Sequence, residues 1–168
     1  MNMKLFKPDA YFPTIHDINL LALYEQGIRL ILTDLDNTLV KYNDPEPTEE
    51  IIAFKNEAEK LGMKVVVISN NKEKRVKPFA DKLQVEYVSR AKKPFKASYK
   101  KFLNEYKRHE IAIIGDQLMT DILGGNRMGF YTILVDVIDR QKEQFGTKIN
   151  RLFERMIRRK LGLKDDRV

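Results

Sequence analysis

Five short apolar, β-branched runs alternate with longer helical patterns, and each run ends in polar residues. This feature constrains the fold most. The runs are Leu30 to Asp34, Lys64 to Ser69, Glu86 to Ser89, Glu110 to Gly115 and Tyr131 to Val135, which read as buried strands. Between them Thr48 to Leu61, Lys74 to Lys82, Lys96 to Tyr106 and Thr120 to Met128 read as helices. Thr48 suits an N-cap, with Glu49 and Glu50 at the positive end of the helix dipole. Gly62 and Gly129 stand where helices end in a left-handed residue. Thr14 to Gln26 reads as one further helix, stopped by Gly27. Strand and helix alternating in this way predict an α/β fold, a doubly wound parallel sheet covered on both faces.

At 168 residues, with 43% apolar content, the chain is sized for one domain with a proper core. The expected core spans about 28–137, with a helix over 14–26 before it and a basic helix over about 147–163 after it. There is no cysteine, which excludes disulfides, cysteine-based metal sites and thiol catalysis. Neither a secretory h-region nor an apolar run of membrane-spanning length is present, so a soluble, cytoplasmic protein is the expectation.

Parallel sheets bind ligands at the carboxyl ends of their strands, which directs attention to the polar residues there. The first strand runs into Asp34-Leu35-Asp36-Asn37-Thr38. Residues two apart in extended chain point the same way, so Asp34 and Asp36 are expected to face one site. Two carboxylates so close repel unless a cation or a shared proton relieves them, and Mg²⁺ takes such oxygen ligands. A third carboxylate, Asp116, opens Gly115-Asp116-Gln-Leu-Met-Thr-Asp121, while Ser69 ends the second strand and Lys92-Lys93-Pro94 follows the third. Each motif alone has an ordinary alternative as a turn former or a solvated loop.

Taken in order, Asp-x-Asp-x-Thr, Ser, Lys-Pro and Gly-Asp-x-x-x-x-Asp resemble the haloacid dehalogenase superfamily of aspartate-nucleophile phosphatases, over roughly Leu30 to Val135. A receiver domain combines similar residues, but in a different order along the chain. The resemblance implies Asp34 as nucleophile and Asp36 as general acid and then base. It implies Mg²⁺ held by the carboxylates of Asp34 and Asp116 and the backbone carbonyl of Asp36. Thr38, Ser69 and Asn70 would bind the phosphoryl group, and Lys93 would neutralise both it and Asp34. Asp121 would orient Lys93 or metal-bound water. Asn37 replaces the glycine often found after the second aspartate. His16 and His109 fall at no strand's carboxyl end and are expected at the surface or in packing.

Only 35 positions separate Asp34 from Ser69, and 24 separate Ser69 from Lys93, each filled by one helix and one strand. No inserted cap fits, so the site is expected to admit the end of something large. The candidates are a lipid headgroup at an anionic membrane, a nucleic-acid terminus, a phosphoprotein or a bulky sugar phosphate. Charge adds to this: 31 Lys plus Arg against 24 Asp plus Glu give a net +7. Eleven basic residues against three acids fall between Lys72 and Lys101, around Lys93.

The tail from Thr147 to Leu163 carries an apolar stripe of Ile149, Leu152, Phe153, Met156, Ile157 and Leu161. Lys148, Arg151, Arg155, Arg158, Arg159 and Lys160 stand opposite. Such a helix either packs on the domain, lies on an anionic membrane or binds nucleic-acid phosphates, and packing is the preferred reading. Phe12-Pro13-Thr14-Ile15, Gly27-Ile28-Arg29, Asp34 to Val40 and Thr147 to Glu154 resemble the YqeG-type group of subfamily IIIA phosphatases. That group is similar to the mitochondrial phosphatidylglycerophosphate phosphatase. This likeness implies phosphatidylglycerophosphate as substrate and a location in the cytoplasm, peripheral on the inner membrane face. A soluble phosphatase for nucleotide, sugar or protein phosphate, and an RNA- or ribosome-associated binding protein, are the alternatives.

Overall fold

Six parallel strands form one sheet in a computed structural model that describes residues 2–139 and 154–162. They are β1 (Ala10–Phe12), β2 (Leu30–Thr33), β3 (Lys64–Ile68), β4 (Glu86–Val88), β5 (Ile111–Gly115) and β6 (Tyr131–Val135), in the order β1-β6-β5-β2-β3-β4. The chain proceeds outward from β2 through β3 to β4, then crosses back to lay β5 on the other side of β2. Successive strands thus depart in opposite directions at the β2–β5 pair, and a crevice opens there at the carboxyl edge. Leu30 to Thr33 pair with Lys64 to Val67 on one side and Ile111 to Ile114 on the other, so β2 is central and buried throughout.

Alternation along the strands splits the core between the two faces of the sheet. Ile31, Val65, Val67, Ala112 and Ile114 pack with Ile51, Phe54, Val76, Phe79 and Leu83. These last five come from α2 (Glu49–Lys60) and α3 (Glu73–Leu83). Leu30, Leu32, Val66, Ile68 and Ile113 pack on the opposite face with Tyr99, Phe102, Met128 and Phe130. Thr48 does cap α2, its hydroxyl accepting the Ile51 N–H.

Three local expectations change. Thr14 to Gln26 is not continuous helix: Ile15–Asp17 forms a single 3-10 turn, and α1 (Leu20–Glu25) restarts with Asn19 capping the Ala22 N–H. Lys96 to Tyr106 divides into α4 (Ala97–Lys100) and a 3-10 turn, Lys101–Asn104. Thr120 to Met128 begins earlier, as a π-turn over Leu118–Ile122 that runs into α5 (Leu123–Met128). A sixth strand, β1, was not anticipated. It adds to the edge beside β6, where the Asp9 carboxylate also accepts the Thr132 N–H at 2.8 Å.

The last described helix, α6 over 154–161, docks Ile157 and Leu161 against Phe6, Leu118, Ile122 and Leu134. Its inward face is Glu154, Ile157, Arg158 and Leu161, the i, i+3, i+4, i+7 set. The stripe is therefore rotated from its expected position. Arg158, assigned to the solvent face, is 4% exposed, and Met156, assigned to the stripe, is 54% exposed. Lys148, Ile149, Arg151, Leu152 and Phe153 of the expected tail helix lie outside the described residues.

Candidate active site

The chain leaves strand geometry after Thr33, and that departure decides where the two acids point. The Asp34 N–H still completes the ladder to the Ile114 carbonyl at 2.9 Å. Leu35 to Val40 then coil into a tight loop in which the Leu35 carbonyl accepts the Thr38 and Leu39 N–H groups. Asn37 adopts φ 64°, in the left-handed region. Asparagine tolerates this better than most residues, which explains how it stands where glycine is common. It also ties the loop to the segment after β6: its carbonyl accepts the Ile138 N–H, and its side chain accepts the Asp139 N–H at 3.1 Å.

Asp34, Asp116 and Asp121 each bring a carboxylate oxygen within 4.8 Å of the others, all three buried. Lys93, reaching in from the loop after β4 and only 2% exposed at its side chain, donates to Asp34 Oδ1 at 2.8 Å and to Asp121 Oδ1 at 2.6 Å. Asp121 also accepts the Gln117 N–H. The Thr38 hydroxyl donates to Asp116 Oδ1 at 3.1 Å. With the Lys93 ammonium among three carboxylates, full ionisation gathers negative charge in a buried space. A hard divalent cation with oxygen ligands fits that donor set and that charge.

The protonation behaviour has the same cause. Burial, together with the neighbouring Asp121 and Asp116 charges, outweighs Lys93 and raises the Asp34 carboxyl from 3.8 to about 7. Burial works against the Lys93 charge as well, but Asp121 and Asp34 beside it hold the ammonium above the usual lysine range. Between 3.8 and about 7 the folded metal-free protein binds a proton at Asp34 that the unfolded chain does not. Its stability therefore falls as pH rises through that window, by at most roughly 4 kcal/mol. With metal chelated, the expected Tm is lower at pH 8 than at pH 5.5, and a divalent cation bound by this cluster is expected to raise it more at pH 8. A chelated Tm that climbs across the window contradicts this assignment.

Asp36 is placed differently. Its Oδ1 accepts Arg75 Nε at 3.1 Å, Arg75 Nη2 at 2.8 Å and the Asn43 N–H at 3.1 Å, and its Oδ2 accepts Asn71 Nδ2 at 3.1 Å. Strand alternation does not aim it at the carboxylate cluster, because residues 34–38 are not in a strand. Ser69, at the end of β3, is buried, and its oxygen accepts the Asn71 N–H. Asn70 grips the backbone of Lys93 from both sides: Oδ1 accepts the Lys93 N–H at 2.7 Å and Nδ2 donates to the Lys93 carbonyl at 3.1 Å. Its side chain therefore positions the lysine loop. His16 and His109 are exposed, as expected for surface residues, although β1 ends at Phe12, four residues before His16.

Sequence reading did not single out Asn71, Arg75 or the packing role of Gly115. A Cβ on Gly115 would stand 2.2 Å from Asp121 Cγ, inside the space of a carboxylate already fixed by Lys93. Gly115→Ala is therefore expected to displace Asp121 and with it Lys93. The predicted result is a loss of about 1–3 kcal/mol in urea unfolding, with activity reduced well beyond what that loss explains. Unchanged activity and stability would contradict the tight fit.

A family model described as mitochondrial PGP phosphatase matches residues 1–138. The chain is 40% identical over 159 residues to "Probable phosphatase YqeG" of Bacillus subtilis (strain 168), covering 94% of this chain and 92% of that protein. An uncharacterized protein from Listeria monocytogenes serotype 4b superposes with a TM-score of 0.57 at 16% identity, over 70% of this chain and 85% of that one. A hypothetical protein from Xanthomonas campestris gives 0.54 at 14% identity, over 74% and 72%. At these identities the two structures bear on the fold alone.

Proposed function

This chain belongs to the mitochondrial PGP phosphatase family, phosphatases of the haloacid dehalogenase type, and from that premise we propose a Mg²⁺-dependent phosphomonoesterase acting through Asp34 on phosphatidylglycerophosphate. The observation that carries the mechanism is the buried Asp34–Lys93–Asp121 chain beside Asp116, at the carboxyl edge between β2 and β5.

An Asp34 oxygen attacks phosphorus, the P–O bond to the alcohol breaks, and Asp36 gives the departing oxygen its proton. Asp36 then takes a proton from water, whose oxygen attacks the acyl phosphate, releasing inorganic phosphate and restoring the Asp34 carboxylate. Mg²⁺, held by the carboxylates of Asp34 and Asp116 and the Asp36 carbonyl, would draw charge off the phosphoryl oxygens. Lys93 offsets the charge on Asp34 and the phosphoryl group from a fixed position, so little reorganisation accompanies transfer. Ser69 donates its hydroxyl to the phosphoryl group. Thr38 fixes Asp116, and Asn70 fixes the loop that delivers Lys93.

A lipid substrate is supported by the character of the same edge. Phe95, two residues beyond Lys93, is 65% exposed between the exposed Lys92 and Lys96. Ile138, hydrogen-bonded to the Asp34–Thr38 loop, is 45% exposed. Apolar tips among cations suit contact with an anionic membrane surface. No helix among the described residues is long and apolar enough to cross a membrane, so such contact would be peripheral. The test is phosphate release with Mg²⁺ from mixed micelles of phosphatidylglycerophosphate against soluble phosphomonoesters. A kcat/KM at least about tenfold higher for the lipid is expected. Equal or better turnover of soluble sugar or nucleotide monophosphates would move the substrate to a metabolite, and salt-sensitive RNA binding without turnover would overturn the enzymatic reading.

A further inference from the structure

Asp36, in the role proposed above, must turn an oxygen toward the departing alcohol, yet in this structure its Oδ1 is saturated and its Oδ2 already accepts one hydrogen bond. Three donors converge on Oδ1 and one on Oδ2. The strongest hold is Arg75, which spends Nε and Nη2 on a single carboxylate oxygen. A guanidinium has five N–H donors in a planar fork matched to carboxylate or phosphate. Two of Arg75's five are committed here, and among the described residues none accepts from Nη1. The side chain is 12% exposed, equal to Asp36, so the pair stands at the lip of the site, neither sealed in the core nor free on the surface. It is braced against the Phe79 ring, its Cζ 5.7 Å from the centroid. The exposed Lys72 and Lys74 flank it on the same turn of chain, with the exposed Glu73 between them accepting the Tyr87 hydroxyl.

We propose that Arg75, with the Asn71 amide beside it, forms a subsite for a second anion carried by the leaving group. The proposal rests on the phosphomonoesterase reading, because it takes Asp36 to mark the leaving-group side of the scissile bond. An anion arriving at Arg75 replaces the Asp36 carboxylate as the guanidinium's partner and frees an Asp36 oxygen for the departing alcohol. With the anion seated on Arg75 where Asp36 Oδ1 now lies, and Asp36 turned one hydrogen bond from the leaving oxygen, the two phosphates stand about 5–8 Å apart. A three-carbon bridge between two phosphate groups spans that distance. Phosphatidylglycerophosphate, the substrate proposed above, has this form, its leaving alcohol carrying a phosphodiester a few bonds away, and Arg75 is the residue assigned to read it. A simple monoester cannot compete for Arg75 and meets Asp36 still held.

Propane-1,3-diyl bisphosphate and propyl phosphate form a soluble pair that differs in the second anion and removes any contribution from a lipid surface. Binding is measured by calorimetry with Mg²⁺ on Asp34→Asn, which cannot turn the ligands over, with and without Arg75→Gln. The bisphosphate is expected to bind at least about tenfold more tightly than propyl phosphate, and Arg75→Gln is expected to erase that preference while Arg75→Lys retains part of it. In enzyme with Asp34 intact, Arg75→Gln lowers kcat/KM for the bisphosphate at least about tenfold more than for propyl phosphate. Equal binding of the two ligands, or an equal loss on both from Arg75→Gln, overturns the subsite and leaves Arg75 as a positioning residue for Asp36. Selective binding without turnover of either ligand by the enzyme with Asp34 intact would instead overturn the phosphatase reading and leave the anion subsite standing.

Discussion

Asp34→Asn is expected to abolish phosphate release and, at the same time, to make the metal-free protein more stable. An amide oxygen is too weak a nucleophile to attack phosphorus, so kcat should fall by at least about 10⁴-fold. The stability gain follows from the surroundings of Asp34. Burial and the charges of Asp121 and Asp116 lift its carboxyl to about 7, which means that ionising it in the folded protein costs free energy. Asparagine removes that cost while keeping the shape and a carbonyl oxygen for Lys93. Chelated Asp34→Asn should therefore melt higher than the wild type at pH 8, the two converging near pH 5.5, where Asp34 already holds a proton. Mg²⁺ should stabilise the variant less than the wild type. A variant that loses activity by simply unfolding would contradict this account, and opposite changes in activity and Tm distinguish the cases in one pair of measurements.

Lys93→Met should be damaging in both respects. The methionine fills nearly the same volume but leaves Asp34 and Asp121 as buried carboxylates without their ammonium, which lies 2.8 and 2.6 Å from them. Breaking a buried pair from one side costs about 3–5 kcal/mol. Loss of the fixed positive charge should further reduce kcat by about 10³-fold. Mg²⁺ or a fall in pH should recover part of the stability, because either removes some of the stranded negative charge, and neither should recover kcat. Combining Lys93→Met with Asp34→Asn should destabilise much less than the single lysine variant does, since one of the two stranded charges is gone. Independent, additive effects would mean that the two side chains are not coupled as the structure has them.

The strand-end residues could be read from the sequence because the sheet is parallel and buried on both faces. Its central strands are unbroken apolar runs rich in β-branched residues, such as Val65-Val66-Val67-Ile68 and Ile111-Ala112-Ile113-Ile114. The chain must turn polar where they end, which puts Asp34, Ser69 and Asp116 at one edge. The missed β1 has three half-buried residues at the sheet edge, too few for any periodicity to register. The early π-turn over Leu118–Ile122 answers a tertiary demand: Asp121 must reach back to the Gln117 N–H and to Lys93. The glycines of α5 lower its helical propensity, yet both are needed. A Cβ on Gly124 would meet the Tyr99 hydroxyl at 2.4 Å, and one on Gly125 would meet Ile113 at 2.4 Å.

Side-chain partnerships across elements were the least legible. Asn71 and Arg75 reach Asp36 across 35 and 39 positions of sequence. Nothing in their spacing shows that the first turn of α3 stands over the Asp34–Thr38 loop. The rotation of α6 is similar: its pattern of apolar residues indicated a docking helix, but Glu154 reaches the Met119 N–H at 3.3 Å and turns inward with Ile157. A charged residue at such a position reads as solvent-facing until its partner is known.

The central claim, that Asp34 carries the phosphoryl group in turnover, can be tested most directly by trapping it. Asp36→Asn mixed with para-nitrophenyl phosphate and Mg²⁺ should still undergo phosphoryl transfer, because that leaving group needs no proton, but lacks the base that activates water. Acid quench, digestion and mass spectrometry should find one phosphoryl increment on the peptide containing Asp34, accumulating above the wild-type level and absent when Asp34 is asparagine. Release of phosphate by the wild type with no covalent phosphoryl group at Asp34 in either protein, or with the increment on another residue, would contradict the account.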